Sequence, residues 1–116
     1  MTIRFHKNLT LEKWSSLTLD KQLLNIASEL IRAKQWMEDN NSSLSKESIE
    51  RALELMDLTT ESQKQKLSGN FLKEFLRLRD CFGEFYCDLN PSKNIEPFLQ
   101  ALVSLNSVTQ NLNLVF

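Results

Sequence analysis

Between positions 18 and 37, apolar residues recur at alternating intervals of four and three residues, and this spacing strongly constrains the fold. The set is Leu19, Leu23, Ile26, Leu30, Ala33 and Met37. Such spacing places side chains on one stripe of an α-helix. Leu24, Ala27 and Ile31 widen the stripe. The helix is therefore predicted to face a core rather than one thin seam.

The rest of the chain carries the same helical period, most clearly in a phenylalanine stripe on the third predicted helix, which consists of Phe71, Phe75, Leu78, Phe82, Phe85 and Leu89. Helices are predicted over about residues 18–40, 45–62, 70–89 and 94–111, with Thr18, Ser45 and Asn70 as candidate N-caps for the first three. Residues 1–17 predict an N-terminal arm with a short helical turn that Thr10 caps. Residues 59–70 have little apolar content and predict a connection, with a helical first or last turn as the alternative. Short connections make successive helices antiparallel, so we expect an all-α single domain: an up-and-down antiparallel four-helix bundle with an N-terminal arm.

Charge and composition narrow the classes of function. The chain has 14 basic and 15 acidic residues and a net charge of −1, which does not indicate a nucleic-acid-binding protein. No apolar run has the length of a membrane span, and the first residues lack a signal-peptide core, so we expect a cytoplasmic protein without membrane contact. Cys81 and Cys87 lie six residues apart on one predicted helix, too far to bridge, and predict reduced thiols.

Catalytic and metal-binding patterns are missing from the sequence. His6 is the only histidine, which leaves no Glu-x-x-His pair for a di-iron bundle and no zinc cluster. Gly69 and Gly83 stand alone and form no phosphate-binding loop. We therefore predict no catalytic residues, no metal and no cofactor, and the sequence favours a protein that is not an enzyme.

Two polar features form a candidate polar or anion-binding site. On the first long helix, Glu29, Arg32 and Trp36 follow the apolar stripe at helical spacing, which suits either a polar groove or a flanking network that sets packing. On the third, Arg77, Arg79 and Tyr86 surround Gly83, where a guanidinium can clamp a phosphate or a carboxylate. The alternative is that Arg79 bonds across the helices to an acid. The acids in question are Glu29, Glu54 and Asp57.

The fourth predicted helix is almost free of charge, since Glu96 is its only charged residue. Depletion of charge is typical of an interface core, so the helix and the tail after it predict self-association. The alternative is a neutral face in contact with solvent. The candidate interface consists of Gln100, Ser104, Leu105, Ser107, Val108 and Phe116.

Three motifs resemble a small family of uncharacterised prokaryotic four-helix-bundle proteins. The likeness covers roughly residues 12–89 and implies a helical bundle in a prokaryotic cytoplasm, without an assigned activity. Its motifs are Gln22-x-x-Asn25-Ile26-x-Ser28-Glu29-x-x-Arg32-Ala33-x-x-Trp36, Glu50-Arg51-Ala52-Leu53-Glu54-Leu55-x-Asp57-Leu58-Thr59, and Leu72-Lys73-Glu74-x-x-Arg77-x-Arg79 followed by Phe85-Tyr86.

The expected architecture is also remotely similar to that of HEPN domains, many of which are dimeric RNases of toxin–antitoxin modules. Their motif is Arg, four to six residues, then His, whereas here Arg79 is followed after six residues by Tyr86. The missing histidine leaves the ribonuclease site incomplete, and the comparison is one of fold alone.

Three functional hypotheses result. The favoured one is a non-enzymatic interaction module that forms a homodimer or binds a protein partner. The alternative is a HEPN-like protein that binds or cleaves RNA. A third is a pocket for a small anion between the first and third long helices, near Arg32, Trp36 and Arg79.

Overall fold

The computed structural model describes residues 9–64, 69–87 and 94–115, with side chains at 9–64, 71–87 and 94–105. The described part of the chain is helical and contains no β-strand. One short and four long helices follow in order: α1 (Leu11–Ser15), α2 (Leu19–Glu38), α3 (Ser42–Gln63), α4 (Gly69–Cys87) and α5 (Glu96–Val115). The predicted all-α class is confirmed.

The starts of α1 and α2 follow the sequence closely. Thr10 caps α1 as predicted, because its Oγ1 accepts a hydrogen bond from the backbone N–H of Lys13 at 3.1 Å. Thr18 is the N-cap of α2, but its hydroxyl donates to Asp20 instead of accepting from the backbone. That hydrogen bond is the main reason why the pKa of Asp20 lies below its usual value.

The start of α3 differs from the prediction. The helix begins at Ser42, and its cap is Asn41, whose Oδ1 accepts from the N–H of Leu44 at 3.1 Å. Ser45, the predicted cap, is buried inside the helix and donates to the carbonyl of Ser42. Residues 39–41 thus form one tight connection, in which Asn40 adopts a left-handed conformation (φ 58°).

Two helices extend beyond their predicted ends. α3 continues to Gln63, one residue beyond its predicted end, so the predicted connection begins with a helical turn. Thr59, Ser62 and Gln63 are buried there and make hydrogen bonds that local apolar content does not reveal. α4 begins at Gly69, one residue before the predicted cap Asn70. α5 continues to Val115 instead of ending at 111.

The core lies where the helical stripes meet. α2 contacts α3 and α5, α3 contacts α4, α4 contacts α5, and α1 packs on α3. The predicted α2 stripe is buried or half-buried throughout, and so are the described members of the phenylalanine stripe on α4. The largest completely buried core side chains are Phe75, Phe82, Leu23, Ile26, Leu30, Ile49, Met56, Leu58, Ile95 and Leu102.

One part of the predicted core is wrong. Leu24 is 53% exposed and Ile31 is 44% exposed, although both were expected to widen the α2 stripe. The two residues lie seven positions apart on the side of α2 that faces away from its neighbours α3 and α5. No helix in the described ranges has both the length and the apolar content that a membrane crossing requires.

Candidate functional site

Arg79 is held between α4 and α3. Its Nε donates to Asp57 Oδ1 at 2.9 Å and its Nη2 donates to Asp57 Oδ2 at 3.3 Å, which makes a bidentate ion pair across the two helices. The hydrogen bond raises the pKa of Arg79 further, so this guanidinium keeps its charge. Of the acids considered from sequence, Asp57 is therefore a direct partner.

Gly83 makes room for this guanidinium. A Cβ placed at Gly83 would lie 3.0 Å from Nη1 of Arg79, closer than side-chain atoms normally approach. The space beside Gly83 that the sequence left open for a ligand is thus occupied by the Arg79 side chain itself. Because two atoms of the planar guanidinium are fixed by Asp57, the third nitrogen has little freedom to move.

Tyr86 makes a second contact between the same helices. Its hydroxyl donates to Glu50 Oε1 at 2.6 Å. Glu50 precedes Asp57 by seven residues, and Tyr86 follows Arg79 by seven, so the two contacts occur in opposite order along α3 and α4. The two helices are therefore antiparallel along this seam, and Arg79 and Tyr86 both serve to join them.

Glu29 and Arg32 lie elsewhere, on α2. Arg32 Nη1 is 2.9 Å from Glu29 Oε1; the Arg32 side chain is 58% exposed, and that of Glu29 is 9% exposed. The other carboxylate oxygen, Oε2, is buried and has no hydrogen-bond partner among the described residues. Trp36 is half-buried, and its backbone carbonyl accepts from Asn41 where α2 ends.

Arg77 lies apart from both of these groups and faces the space between α4 and α5. It pairs loosely with Glu74 (Arg77 Nη1 to Glu74 Oε1, 3.5 Å), and both side chains are more than half exposed. They lie at the edge of an open groove of about 390 Å³ with mainly apolar walls. The groove, which we call the α4–α5 groove, is lined by Glu74, Arg77, Leu78 and Cys81 of α4 and by Ala101, Ser104 and Leu105 of α5.

Side-chain size explains why this groove exists. Farther along α4, the rings of Phe82 and Phe85 have centroids 5.2 and 5.1 Å from that of Phe98 on α5, and these three rings fill the space between the helices. In the groove, three of the seven lining residues, Cys81, Ala101 and Ser104, are small, and the larger apolar ones are Leu78 and Leu105. These side chains fill less of the space between α4 and α5 than the three aromatic rings do.

The candidate interface residues coincide with the groove in part. Gln100 and Ser104 are exposed, and Leu105 is half-buried against the core. Ser107 and Val108 belong to α5, but their side chains lie outside the described residues, as does the whole of Phe116.

The six candidate polar residues thus fall into three groups. Arg79 and Tyr86 join α3 and α4. The buried Glu29 pairs with the exposed Arg32 along α2, and Trp36 follows Arg32 by four residues on the same helix. Arg77 faces the α4–α5 groove. The described residues contain no cluster of three or more His, Cys, Asp or Glu side chains that suits a metal ion. The position of His6 is outside those residues.

Sequence reasoning missed a buried polar network around Gln22. Gln22 has no exposed surface, and its Nε2 donates to the carbonyl of Trp14 at 2.9 Å and to Ser62 Oγ at 3.1 Å. The indole N–H of Trp14 donates to Thr59 Oγ1 at 3.0 Å. The sequence signal that could have indicated its burial is spacing, because Gln22 stands seven residues before Glu29, beside the apolar stripe.

Comparisons with known proteins add no assignment. No family model, no curated protein and no solved structure matches this chain.

Proposed function

We propose that this chain is a cytoplasmic, non-enzymatic interaction module that forms a homodimer through the α4–α5 groove. The observation that carries the proposal is the groove itself, because Ser104 and Leu105, predicted from sequence as interface residues, line it together with Arg77. Its mainly apolar walls with charged residues at the edge resemble the apolar core and polar rim of a protein interface. Cys81 and Cys87, both free thiols, fit a reducing compartment.

The scaffold that we propose is an up-and-down antiparallel bundle of the four long helices. Each long helix contacts two others, in the cyclic order α2, α3, α4, α5. Residues 39–41 connect α2 to α3, a length that suits antiparallel neighbours. The opposed order of the Asp57–Arg79 and Glu50–Tyr86 contacts supports the same direction for the next pair.

Oligomeric state tests the proposal. Multi-angle light scattering at micromolar concentration is expected to report a dimer for the wild type and a monomer for Ser104→Glu. Ser104 is exposed in the groove, so the substitution adds a charge to the interface without disturbing the core. Ser28→Glu on the exposed face of α2 is the matched control and should remain dimeric. A monomeric wild type would contradict the proposal.

A second substitution on α5 tests association less directly. Leu105→Glu should also prevent association, but Leu105 packs against the core, so its effect includes a loss of stability. Ser104→Glu avoids that ambiguity. Circular dichroism of each variant would verify that helix content is unchanged before its mass is interpreted.

The HEPN-like alternative is less well supported by the geometry. Its central residue, Arg79, is engaged by Asp57, and the hydroxyl of Tyr86 is engaged by Glu50. An RNA-binding role for Arg79 predicts that Arg79→Ala abolishes RNA binding and leaves thermal stability unchanged. Our proposal predicts the reverse: wild type does not bind RNA in filter binding, and Arg79→Ala lowers the melting temperature because Asp57 loses its partner.

A further inference from the structure

We propose that the dimer is two-fold symmetric, with the α4 helices of the two copies antiparallel and their Cys81 residues facing each other. This inference rests on the self-association proposed above and specifies its geometry. It follows from the residues that surround the α4–α5 groove and from the requirement that a two-fold interface be complementary to itself.

A single exposed stripe on α4 borders the groove. Glu74, Arg77, Cys81 and Glu84 follow one another at intervals of three, four and three residues, which places them on one side of the helix, and all four are exposed. The first three line the groove. The stripe therefore carries a basic residue on one side of Cys81 and an acidic residue on the other.

This order of charges is self-complementary in an antiparallel pair. Arg77 precedes Cys81 by four residues and Glu84 follows it by three, which corresponds to about 6 Å and about 4.5 Å along the helix axis. When Cys81 lies on the two-fold axis, Arg77 of each copy is offset from Glu84 of the other by only about 1.5 Å along that axis. Two equivalent ion pairs then form across the interface.

The neighbouring surfaces suit a close approach. Ala101 and Ser104 of α5 are small and uncharged, so a second α4 meets no charged side chain on the α5 side of the groove. The internal partner of Arg77, Glu74, is 3.5 Å away and more than half exposed, so Arg77 is free to reach a second acid. The parallel arrangement is disfavoured because it sets identical charges against each other.

Thiol oxidation tests the position of Cys81. Diamide, which takes up the two thiol hydrogens as the disulfide forms, is expected to convert wild type and Cys87→Ser to a covalent dimer on a non-reducing gel. Cys81→Ser should remain a single chain. A disulfide requires Cα atoms no more than about 7 Å apart, so the reaction reports a specific geometry. Cys87 is a matched control, since it is exposed on the same helix.

Charge exchange tests the register independently. Arg77→Glu is expected to raise the dimer dissociation constant about tenfold, and the double variant Arg77→Glu/Glu84→Arg should restore it to within about threefold of wild type. Arg51→Glu on α3 reverses a charge away from the groove and should leave the constant unchanged. Analytical ultracentrifugation would measure all four proteins.

The outcomes separate the two proposals. If light scattering reports a dimer but Cys81 does not cross-link, or Cys87 cross-links equally well, the two-fold geometry is wrong while self-association stands. If Glu84→Arg fails to rescue Arg77→Glu, the register is wrong. If wild type is monomeric at every concentration, both the dimer and its geometry are overturned.

Discussion

Gln22 illustrates how a single buried amide determines packing between helices. Its side chain is completely buried, donates to the carbonyl of Trp14 and to Ser62, and accepts from Gln63 at 3.3 Å. It therefore links α1, α2 and the end of α3. Burial of a polar group costs free energy unless the group is hydrogen-bonded, so these contacts also favour one arrangement of the facing residues.

We expect Gln22→Leu to lower the free energy of unfolding by about 2–3 kcal/mol, because the buried Ser62 hydroxyl and the buried Gln63 amide each lose a hydrogen-bond partner. Gln35→Leu, the same change at an exposed position of α2, should alter it by less than about 0.5 kcal/mol. Urea unfolding followed by circular dichroism would measure both. Equal effects at the two sites would show that the network contributes nothing to stability.

At the scale of elements, the connection between α2 and α3 depends on two consecutive asparagines. Asn40 takes the left-handed conformation, and its N–H bonds to the carbonyl of Met37, while the N–H of Asn41 bonds to that of Trp36 at 2.8 Å. This is the Schellman pattern that ends a helix. Asn41 then caps α3 through its side chain, so one residue ends the first helix and begins the next.

Asn41→Ala is expected to destabilise the protein by about 1 kcal/mol, because the N–H of Leu44 loses its side-chain acceptor. Ser43→Ala, an exposed change in the same turn, is the control and should have little effect. Thermal unfolding would compare the two variants with wild type. If Asn41→Ala were neutral, another group would have to satisfy the start of α3.

At the scale of the whole molecule, the contacts between helices are uneven. α2 and α3 share the most extensive contact among the described helices. The contact of α4 with α5, beside the groove, is less extensive than the contacts of α2 with α5 and of α3 with α4. A helix with fewer buried contacts opens at a lower free-energy cost. The contact of Lys34 with Glu96, at 2.9 Å, also joins α2 to the start of α5, and this hydrogen bond raises the pKa of Lys34.

Amide hydrogen exchange should therefore be slowest in α2 and α3 and faster in α4 and α5. Mass spectrometry of peptic peptides would resolve the four helices. Dilution that separates the proposed dimer should speed exchange in α4 and α5 and leave α2 and α3 unchanged. Slowest exchange in α5 would contradict this distribution of stability.

Local periodicity alone was enough to predict the helical class, the buried face of α2 and the phenylalanine stripe of α4, because spacings of three and four residues directly determine which side chains share a face. Helix ends were less predictable, since Asn41 and Ser45 are both good caps and only the tertiary structure decides which one is used. Of the candidate site, the sequence identified Arg79 with Asp57 among its possible partners. It also predicted Ser104 and Leu105 as interface residues, and both line the α4–α5 groove.

Only the tertiary structure decided the contacts between residues that are far apart in the chain. Burial of Gln22 against Ser62, pairing of Arg79 with Asp57, and the space left between Cys81 and Ala101 all depend on how separate helices are set against each other. A helical repeat specifies which side of a helix is apolar, but not its separation from a neighbour or its register along that neighbour. Those two quantities determine where polar groups meet and where a groove remains.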